Sequence, residues 1–146
     1  MRALIQRVKN ASVIVDNETI ANTGRGLLVL IGIKAGDGRA QIDYLVDKIV
    51  NLRVFEDEKG RFDKSVSDIE GDILLVPQFT LYGDCAKGRR PDFTAAAPVE
   101  NAKMIYDEAV KAFIETGLKI ESGRFQAHME VNLVNDGPVT LMIESK

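Results

Sequence analysis

Two short segments contain residue types that could position an acyl or ester group. Gln78, Phe79 and Thr80 follow an apolar run and precede Gly83, so we predict that they lie where a strand ends and a loop begins. The loops beyond strand ends commonly hold functional N–H groups and hydroxyls on a rigid scaffold. Taken alone, the same segment is also typical of an ordinary strand followed by a turn.

The second segment is Asn135-Asp136-Gly137-Pro138. Asn, Asp and Gly tolerate positive φ and proline is accepted at the start of a strand, so local rules predict a hairpin turn. The alternative is a cis peptide bond between Gly137 and Pro138; folded proteins keep this form at about 5–6% of X–Pro bonds, usually for a structural reason. A rigid turn of that kind could direct main-chain oxygens outward, where they would limit the size of a bound group.

The usual catalytic side chains are not grouped in this sequence. His128 is the only histidine and Cys85 the only cysteine, so no His/Cys zinc cluster is expected, nor is any other metal or cofactor. We interpret His128 as a structural or surface residue, because no neighbouring residue marks it as a base. Cys85 lies close to basic residues that favour a thiolate nucleophile. An ordinary loop position is favoured for Cys85, because no partner base is visible.

Composition and charge limit the classes of function. The net charge of −3 excludes a general polyanion binder, so any nucleic-acid contact requires a local basic patch. The densest such patch contains Lys87, Arg89 and Arg90, and a looser second group contains Arg2, Arg7 and Lys9. No apolar run approaches the roughly 20 residues that cross a bilayer. The lone cysteine is compatible with a reducing cytoplasm.

Periodicity predicts a single domain spanning residues 1–146, with more strands than helices. Apolar stripes at helical spacing predict helices over residues 39–52, with Asp37 as N-cap, and 101–116. Hairpin-like links outnumber βαβ spacings, which favours an α+β fold with a mainly antiparallel, barrel-like sheet and two covering helices. Strands are predicted at residues 3–8, 12–15, 18–22, 27–33, 53–55, 73–76, 129–135 and 139–143.

The two segments together resemble the D-aminoacyl-tRNA deacylase family. A Gln-Phe-Thr segment about 60 residues before an Asn-x-Gly-Pro-x-Thr turn is specific to that family as a combination, although neither motif suffices alone. The resemblance runs nearly end to end, through MRALIQRV, GLLVLIGI, NLRVFED, PQFTLYGD, KGRRPDF and NDGPVT.

The resemblance implies an enzyme that hydrolyses the ester between a D-amino acid, or mischarged glycine, and the terminal adenosine of tRNA. Gln78, Phe79 and Thr80 would surround the ester, with main-chain N–H groups binding the developing oxyanion. The substrate's own 2′-hydroxyl would assist the attacking water. The family usually has serine before Gln-Phe-Thr, whereas this chain has Pro77, which excludes a serine nucleophile at that position.

The resemblance also implies how substrates are selected. The turn at Gly137 and Pro138 would be cis and would enter the pocket of a second subunit, so the protein is expected to be a homodimer. A cytoplasmic location is expected from the lone cysteine. The main-chain oxygens of the turn would exclude an L-side chain. Lys87, Arg89 and Arg90 would contact tRNA phosphates. Two rival hypotheses remain: a Cys85-dependent hydrolase of small esters, and a non-catalytic RNA-binding module.

Overall fold

The computed structural model describes residues 1–146 and contains eight strands, two helices and one 3₁₀ turn. The strands are β1 (Arg2–Val15), β2 (Glu18–Thr23), β3 (Gly26–Gly32), β4 (Phe55–Glu56), β5 (Phe62–Lys64), β6 (Asp72–Pro77), β7 (Ile120–Ser122) and β8 (Glu130–Glu144). The helices are α1 (Arg39–Val50) and α2 (Val99–Ile114), and the 3₁₀ turn is Phe79–Tyr82. Neither helix is long and apolar enough to cross a membrane.

Strand β1 is the centre of the antiparallel half of the sheet. It pairs with β2, β3 and β8, and its 14 residues replace the two strands predicted at 3–8 and 12–15. The predicted hairpin to β2 is confirmed. Its two turn residues, Asp16 and Asn17, have φ values of 51° and 64°, the combination that matches the twist of a two-residue hairpin.

Strands β3, β6 and β7 form the other half of the sheet, and they run parallel to one another. Helix α1 lies between β3 and β6 in the chain, and α2 lies between β6 and β7. The predicted α+β class and the two helices are confirmed, and the sheet is nearly closed and barrel-like. The prediction that hairpin links dominate was only partly right, because each helix is long enough to return the chain for a parallel pairing.

Both helices pack their apolar stripes against the sheet and against each other. Ile42, Leu45 and Ile49 of α1 are buried, which confirms the predicted stripe. Each fully buried side chain of this size contributes about 1.5–3 kcal/mol relative to an exposed one. In α2 the buried residues include Ile105, Tyr106 and Phe113.

The prediction that Asp37 caps α1 was wrong. The N-cap is Gly38, whose N–H donates to the side-chain oxygen of Gln41 at 3.0 Å. The Asp37 carboxylate instead accepts from the Met1 ammonium group at 2.8 Å and from the Lys34 N–H at 2.8 Å. The Met1 ammonium is buried, and an ion pair in that position offsets the cost of removing the charge from water.

Candidate active site

The segment after β6 is held to the end of β3 by the main chain. The Gln78 N–H donates to the Ile31 carbonyl at 2.8 Å, so the parallel pairing of β3 and β6 continues one residue past β6. The Leu81 N–H donates to the Gln78 carbonyl at 3.3 Å, and the Gly83 N–H donates to the Thr80 carbonyl at 3.0 Å. These bonds fix the 3₁₀ turn Phe79–Tyr82 at the edge of the sheet.

The first two N–H groups of this turn, those of Phe79 and Thr80, are open to a ligand. The opening N–H groups of a helical turn have no partner within the turn. Both residues are exposed, and the Gln78 side-chain amide donates to the Thr80 hydroxyl beside them. Two adjacent amides and a positioned hydroxyl can bind an oxygen on which negative charge develops.

A pocket of about 640 Å³ opens beside the turn, at the carboxyl ends of the parallel strands β3 and β6. Clefts at this end of parallel strands are common ligand sites, because the loops that leave the strands diverge there. Its walls are mostly apolar and include Ile31, Gln78, Phe79, Phe93, Phe125 and Met129. The structure therefore brings Gln78 and Phe79 into one site with residues that the sequence analysis did not group with them.

His128 is the one ionisable side chain that lines the pocket. It is exposed and forms no hydrogen bond or ion pair, so it lies at the solvent-facing rim rather than among the buried apolar walls. The sequence offered no signal for this position, because His128 is separated from Gln78 by 50 residues and follows a short loop after β7.

Hydrogen bonds of two hydroxyl groups connect α2, β6 and β7 next to the pocket. The Tyr106 hydroxyl of α2 donates to the Leu75 carbonyl at 3.0 Å and lies 2.9 Å from the Ser122 hydroxyl of β7. The Tyr106 ring also contacts the ring of Phe125, a pocket wall, with centroids 6.0 Å apart. Burial raises the pKa of Tyr106 well above its usual value, and the Ser122 hydrogen bond opposes this only in part. The neutral phenol therefore links α2 to β6 two residues before Pro77.

The Gly137–Pro138 segment is not a hairpin turn, so the local prediction of two separate strands was wrong. Strand β8 continues through it in one direction, because β1 offers a long edge with which both halves of β8 can pair. Residues 136–139 have no pairing partner on β1, so the strand bulges at this point, opposite Arg7. The Gly137–Pro138 peptide bond is cis, and both residues are exposed. Neither lines the pocket of its own chain.

Arg7 holds the base of this bulge, and the sequence analysis missed that role. Its guanidinium is buried and donates to the Asp136 carbonyl at 3.1 Å and to the Val54 carbonyl at 2.7 Å. The assignment of Arg7 to a surface basic group was therefore wrong. A signal was available, because Arg7 falls on the inward positions of β1 together with Ala3 and Ile5.

The predicted basic patch forms a loop closed by two main-chain hydrogen bonds. The Asp84 N–H donates to the Asp92 carbonyl at 2.7 Å, and the Asp92 N–H donates to the Asp84 carbonyl at 2.9 Å. We call residues 84–92 the basic arm. Its side chains Lys87, Arg89 and Arg90 are exposed and form no ion pair. Cys85 is also exposed on the basic arm and does not line the pocket.

An apolar pocket beside two open amides and a positioned hydroxyl has the features of a hydrolase site for acyl groups. The family model described as D-Tyr-tRNA(Tyr) deacylase matches residues 4–144 of this chain. The chain therefore belongs to the D-Tyr-tRNA(Tyr) deacylase family, which confirms the resemblance inferred from its motifs.

Curated relatives and solved structures agree with this assignment. A D-aminoacyl-tRNA deacylase of Thermosipho africanus is 54% identical over 146 residues, covering 100% of this chain and 98% of the relative. One from Halothermothrix orenii is 55% identical over 145 residues, covering 99% and 97%. These named relatives are hydrolases, in agreement with the enzyme class predicted from the motifs.

Two solved structures share the fold. A structure titled "c-Myc DNA Unwinding Element Binding Protein" has a TM-score of 0.94 at 45% identity, covering 100% of this chain and 99% of that chain. A probable eukaryotic D-amino acid tRNA deacylase has a TM-score of 0.83 at 20% identity, covering 97% of each chain. The second likeness concerns the fold alone.

The buried phenols predict a loss of stability at alkaline pH. Burial raises the pKa of Tyr82 to about 12, and the pKa of Tyr106 is also raised, whereas an unfolded tyrosine ionises near pH 10. The contribution of these phenols to the free energy of unfolding is fully present below pH 10. It falls above pH 10, because the unfolded chain releases these protons before the folded protein does. Each such phenol contributes up to about 1.4 kcal/mol per pH unit.

Urea unfolding at pH 8, 10 and 11, followed by circular dichroism, measures this effect. Tyr106→Phe should make the decline in the free energy of unfolding shallower, because one buried phenol is removed. Tyr44→Phe, at a partly exposed position on α1, is the matched control and should leave the decline unchanged. Identical pH profiles for Tyr106→Phe and the unsubstituted protein would contradict the assignment.

Proposed function

We propose that this protein hydrolyses the ester bond of D-aminoacyl-tRNA, and of mischarged glycyl-tRNA, and releases free amino acid and tRNA. It thereby proofreads charged tRNA in the cytoplasm. The observation that carries the proposal is the pair of open N–H groups at Phe79 and Thr80, beside an apolar pocket. The family assignment supports the same chemistry.

The main chain supplies the stabilisation of the transition state. When water adds to the ester carbonyl, negative charge develops on the carbonyl oxygen, and the amides of Phe79 and Thr80 bind it. One such donor is typically worth about 2.7–4 kcal/mol. Pro77 has no N–H and the Gln78 N–H is bonded to the Ile31 carbonyl, so the donors begin at Phe79. Thr80 has a positioning role, because its hydroxyl is engaged by Gln78 and no base adjoins it.

The substrate completes the reaction. The 2′-hydroxyl of the terminal ribose orients the attacking water, and the C–O bond to the ribose 3′-oxygen breaks as the tetrahedral intermediate collapses. The proton lost by the water passes to that 3′-oxygen, so the products are the free amino acid and an intact tRNA 3′-end. This route suits a pocket in which His128 is the one ionisable side chain and lies at the rim.

The Gly137–Pro138 bulge acts on the pocket of a second subunit in a homodimer. It projects from β8, is exposed, and lies outside the pocket of its own chain. Three large apolar side chains of the same strand are also exposed, namely Val134, Leu141 and Met142. Exposed apolar side chains on a sheet can be covered by a second subunit. The active site therefore lies at the subunit interface.

Substrates are selected by exclusion. The main-chain oxygens of Gly137 and Pro138 occupy the space that the side chain of an L-amino acid needs, whereas a D-amino acid directs its side chain elsewhere. Glycine has no side chain and is not excluded. Arg7 supports this selection because it fixes the Asp136 carbonyl at the base of the bulge.

A deacylation assay tests the activity. We expect rapid loss of D-Tyr-tRNA and Gly-tRNA with L-Tyr-tRNA spared. A substrate ending in 2′-deoxyadenosine should react far more slowly, because it lacks the assisting hydroxyl. The Cys85→Ala variant should keep near-normal activity. Loss of activity in this variant would favour the Cys85-dependent hydrolase. Binding of tRNA without any turnover would favour a non-catalytic RNA-binding module.

Pro138→Ala tests the selection step. The proline ring restricts φ at the tip of the bulge, so its removal lets the main-chain oxygens move. The rate on L-Tyr-tRNA relative to D-Tyr-tRNA should rise by about tenfold or more, the range expected when a pocket stops excluding a small group. An unchanged ratio would show that the bulge does not exclude the L-side chain.

The basic arm is the proposed binding surface for tRNA phosphates. Combining Lys87→Ala with Arg89→Ala should weaken tRNA binding and lower its dependence on salt, by about 0.7–0.9 in the log–log slope for each phosphate that is no longer neutralised. Lys48→Ala with Lys111→Ala removes the same charge from α1 and α2 and serves as the control. Equal slopes for the two double variants would overturn the assignment.

A further inference from the structure

Phe79, in the candidate active site, is the most exposed of the large apolar residues. Phe79 is 59% exposed, although the turn that holds its main chain is fixed by hydrogen bonds on both sides. Exposing so large an apolar surface costs free energy that burial would recover. At the mouth of the pocket, the exposed ring is accessible to a bound substrate.

Phe93 holds the Phe79 ring in place. The two rings meet edge to face, with centroids 5.1 Å apart and planes at 70°, a favoured arrangement for aromatic pairs. Gly83 makes room for this contact, since a Cβ at that position would lie 2.9 Å from the Phe93 ring. The ring of Phe79 is thus fixed in orientation without being buried.

The same residue, Phe93, connects the ring to the basic arm. It directly follows Asp92, which forms the two hydrogen bonds that close the basic arm. Phe79 and Phe93 both line the pocket. The base of the basic arm therefore adjoins the exposed ring and the pocket. A single strand whose terminal nucleoside lies in the pocket could place the preceding base on the ring and its phosphates toward the arm.

We propose that the exposed Phe79 ring is a stacking platform for the base of the nucleotide that precedes the terminal adenosine. The inference rests on the proposed function and adds a subsite to it. Every base has a π face, so stacking on an aromatic ring tolerates any sequence and commonly strengthens binding by about tenfold or more per base. The cations of the basic arm complement the phosphates of the same strand.

Three small substrates isolate the base from the phosphate. They carry the D-tyrosyl ester on the 3′-end of adenosine, of a dinucleotide whose first position is abasic, and of the dinucleotide CpA. For the unsubstituted protein we expect kcat/KM to be about tenfold higher on the CpA ester than on the abasic one. The gain should lie in KM with similar kcat, because stacking stabilises substrate and transition state alike.

Phe79→Leu keeps the main-chain amide and removes the ring. The preference for the CpA ester over the abasic ester should then fall to within about twofold, whatever the absolute rate of the variant. Tyr44→Leu removes a partly exposed ring from α1 and should retain the full preference. Non-hydrolysable 3′-amides of the same three compounds should show the same pattern in Kd by calorimetry.

Three results would overturn the platform. First, the unsubstituted protein could have the same kcat/KM on the CpA and abasic esters. Second, Phe79→Leu could lower kcat/KM on all three substrates while the preference for the CpA ester over the abasic ester persists. Alternatively, Phe79→Leu could change the protein-concentration dependence of activity, which would assign the ring to a subunit contact. Failure of the proposed function looks different, because then even the adenosine ester and full-length D-Tyr-tRNA are not hydrolysed by the unsubstituted protein.

Discussion

A single main-chain hydrogen bond, from the Gln78 N–H to the Ile31 carbonyl at 2.8 Å, determines where the candidate site lies. It extends the parallel pairing of β3 and β6 beyond Pro77, so the chain must turn at the edge of the sheet. The 3₁₀ turn that follows presents the amides of Phe79 and Thr80 at the mouth of the pocket. Because β3 and β6 are buried in the core, the turn that follows them is attached to a well-packed part of the molecule.

The candidate site depends on positioned main-chain groups more than on reactive side chains. Distant residues act through the backbone: Tyr106 binds the Leu75 carbonyl from below, and Arg7 binds the Asp136 carbonyl behind the bulge. A buried polar group that loses its partner costs about 1–3 kcal/mol, so each of these hydrogen bonds holds its carbonyl firmly. Main-chain dipoles fixed in this way need no reorganisation during a reaction, which is the main advantage of a preorganised site.

The errors in the sequence-based interpretation have particular causes. Asp37 has the side chain of an N-cap, but the Met1 ammonium, distant in sequence, is its partner. The Asn135–Pro138 segment has turn chemistry, but the long edge of β1 keeps both sides of it in one strand. Arg7 was assigned to the surface although its position in the alternation of β1 is an inward one. For Asp37 and for Asn135–Pro138 an interaction across the fold overrode a local preference, whereas for Arg7 the local alternation already indicated burial.

The sequence by itself determined the class of the fold, the buried strands, the two helices and the two motifs that indicate the family. Apolar periodicity and turn residues act over a few positions, so they can be read without coordinates. Only the tertiary structure decided that Gln78 and Phe79 share a pocket with Phe125 and His128, and that the Gly137–Pro138 bulge lies outside it. Those relations depend on strand register and crossover, which bring together residues about 50 positions apart and leave no local trace.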